Sequence, residues 1–292
     1  MRIVIAGGTG LIGAYLTKQM QSQGHEVRLV SRSSHHVPWL LDALVQALEH
    51  TDVLINLAGK SINCRHTKAN KKLILDSRVE TTILLGRALE QCQFPPSVWI
   101  NASAIANYIP SNETASVETS ETSSATFLGS VVQQWEDVFF KFSLPGVRKV
   151  VLRTSVVLSN QGGAFIPLRR LTKFGLGGRI ASGKQMFSWI HIADYANAIH
   201  FIIHNKTQAV VNVSSPEPVS QHVFMQKLRR ELRVCAGLPA PAFVVKIAAF
   251  VLGTESSLVL DAAHVYPQKL TTQGFDFLYP TVDSALKALV DN

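Results

Sequence analysis

The chain opens on Arg2-Ile-Val-Ile-Ala6, a β-branched run with no polar alternation. Such a run predicts a strand buried on both faces, as in a parallel sheet. Glycines break it at Gly7, and residues 14–23 then carry helical periodicity, stopped by Gly24. Val27 to Ser31 is the next apolar run, so the chain begins as a βαβ unit with its glycines at the strand-to-helix turn. The alternation continues. The pattern predicts helices over 40–50, 69–92 and 127–142, and strands over 52–58, 97–103 and 149–153. Between them, Ser111 to Thr126 is poor in large apolar residues and predicts an exposed loop. Strands alternating with helices in this way predict an α/β chain with a doubly wound parallel sheet.

The rhythm changes after Thr154. Gly162, Gly163, Gly175, Gly178 and Gly183 punctuate a loop-rich stretch, followed by a predicted helix over 192–204, a strand over 209–213 and a helix over 223–234. No linker composition separates this part from the sheet. It reads as a small discontinuous C-terminal substrate-binding cap: residues 1–235 form the main domain, 155–190 contribute to the cap, and 240–288 form a C-terminal segment.

Composition narrows the classes. Of 292 residues, 47% are apolar and 16% charged, enough to bury a sizeable core and to exclude global disorder. The 28 basic and 20 acidic residues leave a formal charge of +8, which calls for an anionic partner. Basic residues are scattered and no helix-turn-helix or zinc spacing occurs, so no nucleic acid is expected. Cys64, Cys92 and Cys235 are far apart, which suits a reducing compartment and offers neither a disulfide framework nor a metal site. The most apolar late stretch, 242–252, is too short to span a bilayer and contains Lys246, so no membrane partner is expected. No signal-peptide core follows Arg2. The expectation is a cytoplasmic monomer or homodimer.

Gly7, Gly10 and Gly13, with Thr9, Leu11 and Ile12 between them, sit where a buried strand meets a helix. Bare glycine backbone lets a pyrophosphate approach, and the helix N-terminus stabilises its charge, so a dinucleotide is expected. An NAD(H) site normally places an acid about 20 residues on, at the end of the second strand, for the ribose hydroxyl. Here Ser31-Arg32-Ser33-Ser34 follows that strand, with no acid. Arg32 can pair with a 2′-phosphate and Ser31 can add a hydrogen bond, so NADP(H) is favoured over NAD(H). Leu57-Ala58-Gly59 ends the third strand on the crevice side, where small residues leave room for the cofactor.

These motifs resemble the extended short-chain dehydrogenase/reductase superfamily. Ser77-Arg78 with Thr81-Thr82, Ser103-Ala-Ile-Ala-Asn-Tyr108, Trp135-Glu136, Leu152-Arg-Thr154, Ser188-Trp-Ile-His-Ile-Ala-Asp194 and Ser215-Pro-Glu-Pro-Val219 narrow it. Together they look like an atypical NAD(P)-dependent epimerase subgroup. The tail, with Pro267-Gln-Lys-Leu270 and Gly274-Phe-Asp-Phe277, is similar to its C-terminal DUF1731 segment. The resemblance implies a Rossmann fold, an NADP(H) cofactor and substrates such as sugar nucleotides. The chain departs from the pattern in three places. Only a short strand and a helix fit between the second strand and Asp52, Asn107-Tyr108-Ile109 replaces Tyr-Tyr-Gly, and His66 replaces a Trp after Arg65.

The resemblance also implies proton-coupled hydride transfer: a Tyr exchanges the proton, a Lys four residues on lowers its pKa, and a Ser orients the carbonyl. No Tyr here has that Lys. The residues four after Tyr15, Tyr108, Tyr195, Tyr266 and Tyr279 are Gln19, Asn112, Ile199, Leu270 and Asp283. By the family pattern the Tyr-Lys slot falls near Val132 and Glu136. Ser103, at a strand end, fits the orienting hydroxyl and a place beside the cofactor. Tyr108 is the candidate proton donor, in a loop over the nicotinamide, and Glu136 a further proton carrier. Each also has a structural reading: Ser103 bonded to backbone, Tyr108 a packing aromatic, Glu136 paired with a surface cation or backbone. Asp194 reads as an N-cap or first-turn acid, His191 as a loop-orienting residue, and His200 with His204 as a plain helix face. Arg153, Arg169, Arg170 and Lys184 suit either an anionic substrate or a solvated cationic face.

The reading that follows is an NADP(H)-binding epimerase or oxidoreductase acting on an anionic carbonyl or hydroxyl compound. The alternative is a non-catalytic NADP(H)-binding regulator or sensor, supported by the missing Tyr-Lys pair.

Overall fold

The computed structural model describes residues 1–253, 255–256 and 264–291. Part of the segment 240–288 therefore lies outside the described residues. The expected α/β alternation is present. The elements of the first half are β1 (Arg2–Ala6), α1 (Leu11–Ser22), β2 (Glu26–Val30), α2 (Leu41–Leu48), β3 (Val53–Asn56), α3 (Lys68–Gln91), β4 (Val98–Ala104), α4 (Phe127–Lys141) and β5 (Arg148–Thr154). The second half contributes β6 (Val156–Ser159), β7 (Gly162–Gly163), α5 (Phe165–Lys173), β8 (Met186–Phe187), β9 (Trp189–His191), α6 (Ile192–His204), β10 (Ala209–Val213), β11 (Val219–Ser220), α7 (Gln221–Glu231), α8 (Ala242–Leu252), α9 (Gln268–Thr272) and α10 (Val282–Asp291).

Six strands form one parallel sheet in the order β10-β5-β4-β3-β1-β2. The apolar runs that lack polar alternation instead alternate between two cores. On β1, Ile3 and Ile5 pack into one core with Leu16 and Met20 of α1 and Ile199 of α6. Val4 and Ala6 pack into the other, with Leu44 of α2, Leu85 of α3 and Phe139 of α4. Covering both faces is why these strands need no polar side.

The chain order reverses between β1 and β3, and in open α/β sheets ligands bind outside the strand ends at that point. The short strand expected between β2 and Asp52 is only a single bridge, Val30 to Val37. Helix α1 begins at Leu11, three residues earlier than the periodicity placed it, because Gly10 is its N-cap and Gly13 lies inside the helix.

The cap has its own apolar cluster, built from Leu158, Phe165, Trp189, Phe224 and Leu286, which ties β6, α5, β9, α7 and α10 together. The C-terminal segment is sewn back onto the sheet domain. Asp194 accepts hydrogen bonds from the Leu278 and Tyr279 amides at 2.7 and 2.9 Å. Of its two expected places, Asp194 takes the first turn of α6, and the N-cap position goes elsewhere. The N-cap of α6 is His191, whose Nδ1 accepts from the Ala193 amide at 3.1 Å while its ring lies 4.1 Å from the Tyr279 ring.

Burial pushes His191 down to about 4 from its ordinary 6.5, so the folded protein keeps the neutral ring that caps α6. Its unfolded chain takes up the proton first. The contribution to stability is therefore intact above about pH 6.5 and lost as pH falls toward 4, by roughly 2–3 kcal/mol. Urea unfolding at pH 7 and pH 4.5 should show this loss. The variant His191→Asn, which can still cap the helix, should lose much less. Equal losses in both proteins would remove His191 from the account.

Candidate functional site

The glycine loop is shaped by two demands that differ from residue to residue. Gly7 has φ +79°, and a Cβ on it would lie 2.8 Å from the Ala58 amide and the Leu57 carbonyl. A Cβ on Gly13 would lie 2.5 Å from the Gly7 carbonyl oxygen. Both positions need glycine for packing alone. Gly10 is different, because a Cβ there would meet only the Gly7 oxygen, at an ordinary 3.5 Å. No side chain caps α1, and its first turn carries no acid. The amides of this turn thus face an open, electropositive helix end beside an exposed Thr9, with room that only a missing side chain leaves. A pyrophosphate fits that cradle. Leu11 reaches across to Gly162 and Gly163, so the cap meets the sheet domain at the loop.

Beyond β2, the Ser31 hydroxyl is spent inside its own turn. It pairs with His36 Nδ1 at 2.8 Å and accepts from the Ser33 amide at 3.0 Å. Ser31 therefore shapes the turn that carries Arg32. Arg32, Ser33 and Ser34 are exposed and line an open cavity of ≈ 450 Å³ with Trp39. The guanidinium of Arg32 has no carboxylate partner among the described residues. Across the loop, Asn56 Oδ1 accepts from the Ala58 amide at 3.1 Å and turns Leu57-Ala58-Gly59 along the crevice.

The polar residues of the deeper site share one face of the sheet. Asn56, Asn101, Ser103, Arg153 and Asn212 fall in the same alternation as Leu54, Trp99 and Val151, toward α3 and α4. Register puts Ser103 beside Arg153 and Arg153 beside Asn212 on neighbouring strands. From α4, Glu136 comes down onto this row. Its Oε1 accepts from Ser103 Oγ at 2.6 Å and from Arg153 Nε at 2.9 Å, and its Oε2 accepts from Arg153 Nη2 at 2.7 Å. Burial alone would lower the Arg153 pKa. The hydrogen bonds and charge of Glu136 outweigh it and raise the value above that of an ordinary guanidinium.

Glu136 therefore has a partner neither expected reading gave it: the buried arginine Arg153 on β5. Arg153 in turn is committed to Glu136 and lies outside the pool of substrate-facing cations. Its guanidinium sits 4.9 Å over the Tyr108 ring. Tyr108 is buried, and its hydroxyl donates to Asn212 Oδ1 at 2.8 Å. It follows a 3-10 turn, residues 105–107, at the end of β4, as that turn's C-cap. Burial raises the phenol's pKa, so it stays protonated. Val132, in the tyrosine slot, is buried and apolar.

Arg78 is the residue that the motif pattern quoted without assigning a role. It lies on α3 with its guanidinium 3.1 Å from where a Gly59 Cβ would stand, and 5.2 Å from the Trp135 ring. Nη1 donates to the Lys60 and Ile74 carbonyls at 3.0 and 2.9 Å. Desolvation lowers its pKa to about 10. Among the described residues no carboxylate pairs with it, so this half-buried cation stands at the crevice edge with donors to spare. His200 and His204 lie on α6 with ring centroids 4.2 Å apart and tilted planes, and no group of three metal-ligating side chains occurs among the described residues. No described helix is long and apolar enough to cross a membrane.

Comparison with known proteins agrees with this architecture. The NAD dependent epimerase/dehydratase family model matches residues 3–130, and the domain of unknown function DUF1731 matches residues 240–289. The mouse epimerase family protein SDR39U1 is 35% identical, across 99% of this chain and 100% of its own length. The epimerase family protein SH2119 of Staphylococcus haemolyticus is 34% identical, across 99% of both. The crystal structure of human epimerase family protein SDR39U1 with NADPH superposes with a TM-score of 0.91 at 33% identity, covering 100% of each chain. A glycine loop at the crossover of a Rossmann sheet, a DUF1731 tail and relatives alike over their whole length place this chain in the epimerase family, within the NAD-dependent epimerase/dehydratase group.

Proposed function

We propose that the protein is an NADP(H)-dependent oxidoreductase or epimerase that acts on a hydroxyl or carbonyl carbon of a small anionic compound. The observation that carries this reading is the uncapped first turn of α1, opened by Gly10, with Arg32 just past the end of β2, the strand beside β1. The human relative that aligns over its full length was crystallised with NADPH. In this reading the amides of Leu11, Ile12 and Gly13, with Thr9, hold the pyrophosphate. Arg32 holds the 2′-phosphate, and Leu57, Ala58 and Gly59 flank the ribose. When bound, NADP(H) supplies hydride exchange at its nicotinamide ring.

The proton route runs through Ser103. Its hydrogen is committed to Glu136, so its oxygen faces a substrate as an acceptor. As a substrate hydroxyl is oxidised, its proton passes to Ser103 Oγ while the Ser103 proton passes to Glu136 Oε1. Arg153 keeps the carboxylate in place, and Tyr108, under Arg153 and fixed to Asn212, holds the arginine. Tyr108 is thus a positioning residue in this scheme. Arg78 offers the cation for the anionic group of the substrate.

One observation favours the second reading, a binding protein without turnover. The slot of the usual Tyr-Lys pair holds Val132 and a Glu136 tied up by arginine. Turnover of NADPH and NADP+ with a panel of carbonyl, hydroxyl and sugar-nucleotide compounds separates the two. The enzyme reading expects a substrate whose turnover falls about 10²–10⁴-fold in Ser103→Ala, with NADPH affinity kept. Tyr108→Phe should cost less. Turnover unchanged by Ser103→Ala would end the relay, and NADPH binding with no turnover across the panel would favour the sensor.

A further inference from the structure

Helix α8 has the composition of a core helix and the exposure of a surface one. Its sequence, AFVVKIAAFVL, has one charge, Lys246. A helix this apolar normally lies buried. Yet Phe243 is 64%, Ile247 60% and Phe250 67% exposed. Phe243 and Ile247, at i and i+4, form an outward stripe with Lys246 on its flank, and the Phe250 ring at i+7 lies under the Arg65 guanidinium at 4.3 Å.

The stripe continues onto a second element. Leu238 is 67% exposed and Phe174, at the end of α5, is 81% exposed. The backbones that carry them are locked together. The Leu238 amide donates to the Gly175 carbonyl at 2.8 Å, and the Ala240 amide to the Arg179 carbonyl at 2.9 Å. A Cβ on Gly237 would sit 2.7 Å from the Gly177 backbone, so the two segments touch without side chains between them. The backbones carrying Phe174 and Leu238 are therefore fixed to each other, and α8 follows two residues after Ala240. Single-chain soluble proteins rarely leave such a patch bare without a partner for it.

Charge says what the partner is. Residues 161–184 contain Arg169, Arg170, Lys173, Arg179 and Lys184, and no acid. Residues 232–253 add Arg233 and Lys246, again with no acid. These seven cations compare with a net charge of +8 for the whole chain, and none of them pairs with a carboxylate among the described residues. An apolar stripe bordered by unpaired cations is what an anionic lipid surface attracts: headgroups meet the cations and the acyl boundary takes the rings. A second copy of the chain is a poor occupant, because a two-fold contact would bring the same cations face to face.

We propose that this face of the cap docks on an anionic membrane surface, with Phe243 and Ile247 of α8 entering the acyl boundary and the cations of α5 and the adjoining loop meeting acidic headgroups. The expected absence of a membrane partner rested on the lack of a spanning run, and surface docking needs none. The proposal does not depend on the cofactor chemistry.

Co-sedimentation of the full chain with phosphatidylcholine vesicles, with and without about a third phosphatidylglycerol, tests it. Binding is expected only to the anionic vesicles, weakening as salt rises. Phe243→Ser/Ile247→Ser should lower the partition about tenfold or more, and Lys173→Glu/Lys246→Glu should do the same. Leu73→Ser, on an exposed apolar side chain of α3, should leave it unchanged. Retained NADPH affinity or an unchanged melting curve shows that each variant is folded. No binding to anionic vesicles at low salt overturns the proposal, as does binding that both double variants leave intact. A concentration-dependent dimer in light scattering that Phe243→Ser/Ile247→Ser abolishes would assign the face to a second copy and overturn it too.

Discussion

Arg153→Met should destabilise the protein by about 3–5 kcal/mol, the usual cost of stranding one partner of a buried ion pair. Both side chains of the pair are almost fully enclosed, at 8% and 6% exposure. Without the guanidinium, the Glu136 carboxylate keeps only the Ser103 hydroxyl as a donor among its observed partners. It must then either stay charged in a desolvated site or take up a proton. The double variant Glu136→Met/Arg153→Met removes both charges together. It should recover most of the loss, since a buried pair replaced by apolar groups of similar volume is often neutral. Urea unfolding of the two single variants and the double variant closes the cycle, with a coupling of at least about 3 kcal/mol expected. Additive losses would mean that the pair is two independent contacts. The double variant should fold and bind NADPH yet not turn over, because the proton route ends at Glu136.

The glycine loop gives the second large effect, through a contrast between two glycines three residues apart. Gly7→Ala forces a Cβ into the Leu57-Ala58 backbone and holds alanine at positive φ. The expected loss is roughly 2–4 kcal/mol of stability, with strand β3 pushed from β1. Gly10→Ala adds a methyl where the fold has space, so stability should change by less than about 1 kcal/mol. The methyl occupies the cradle instead, and NADPH should bind about 10–100-fold more weakly, equivalent to roughly 1.4–2.8 kcal/mol. Thermal melts and NADPH titration of both variants check the contrast. A stable Gly10→Ala with full affinity would remove the cradle from the cofactor site.

Most of the sheet was legible because its strands are buried on both faces and their apolar runs have no other plausible use. Val53 to Asn56 and Val98 to Ala104 fall within one or two residues of their expected ends. The cap strands β7, β8 and β11 are two residues each, too short for any periodicity to register. The glycine loop was legible from its context, a buried strand followed by a helix. The Glu136–Arg153 pair was not, although its signal was present. Glu136 lies in register with Val132 and Phe139 on the buried stripe of α4, and Arg153 interrupts a strand buried on both faces. Two opposite charges on buried stripes are each other's natural partners, but which strand adjoins which helix is a tertiary fact. Arg78 carried the same kind of signal, four residues from Ile74 and from Thr82, both buried on α3. Its lack of an acidic partner emerges only from the packed structure.

Ser31 has structural partners that its residue type alone did not name. Its hydroxyl stands beside Arg32 in sequence, yet it closes onto His36 and the Ser33 amide. The phosphate specificity proposed for this end of the crevice therefore rests on Arg32 and the exposed serines after it. Fluorescence titration with NADPH and NADH, on the parent protein and on Arg32→Ala, tests that claim most directly. The account predicts NADPH binding at least about tenfold tighter than NADH in the parent, worth about 1.4 kcal/mol, with the preference erased in Arg32→Ala and NADH affinity nearly unchanged. Equal affinities in the parent, or a preference for NADH, would contradict it.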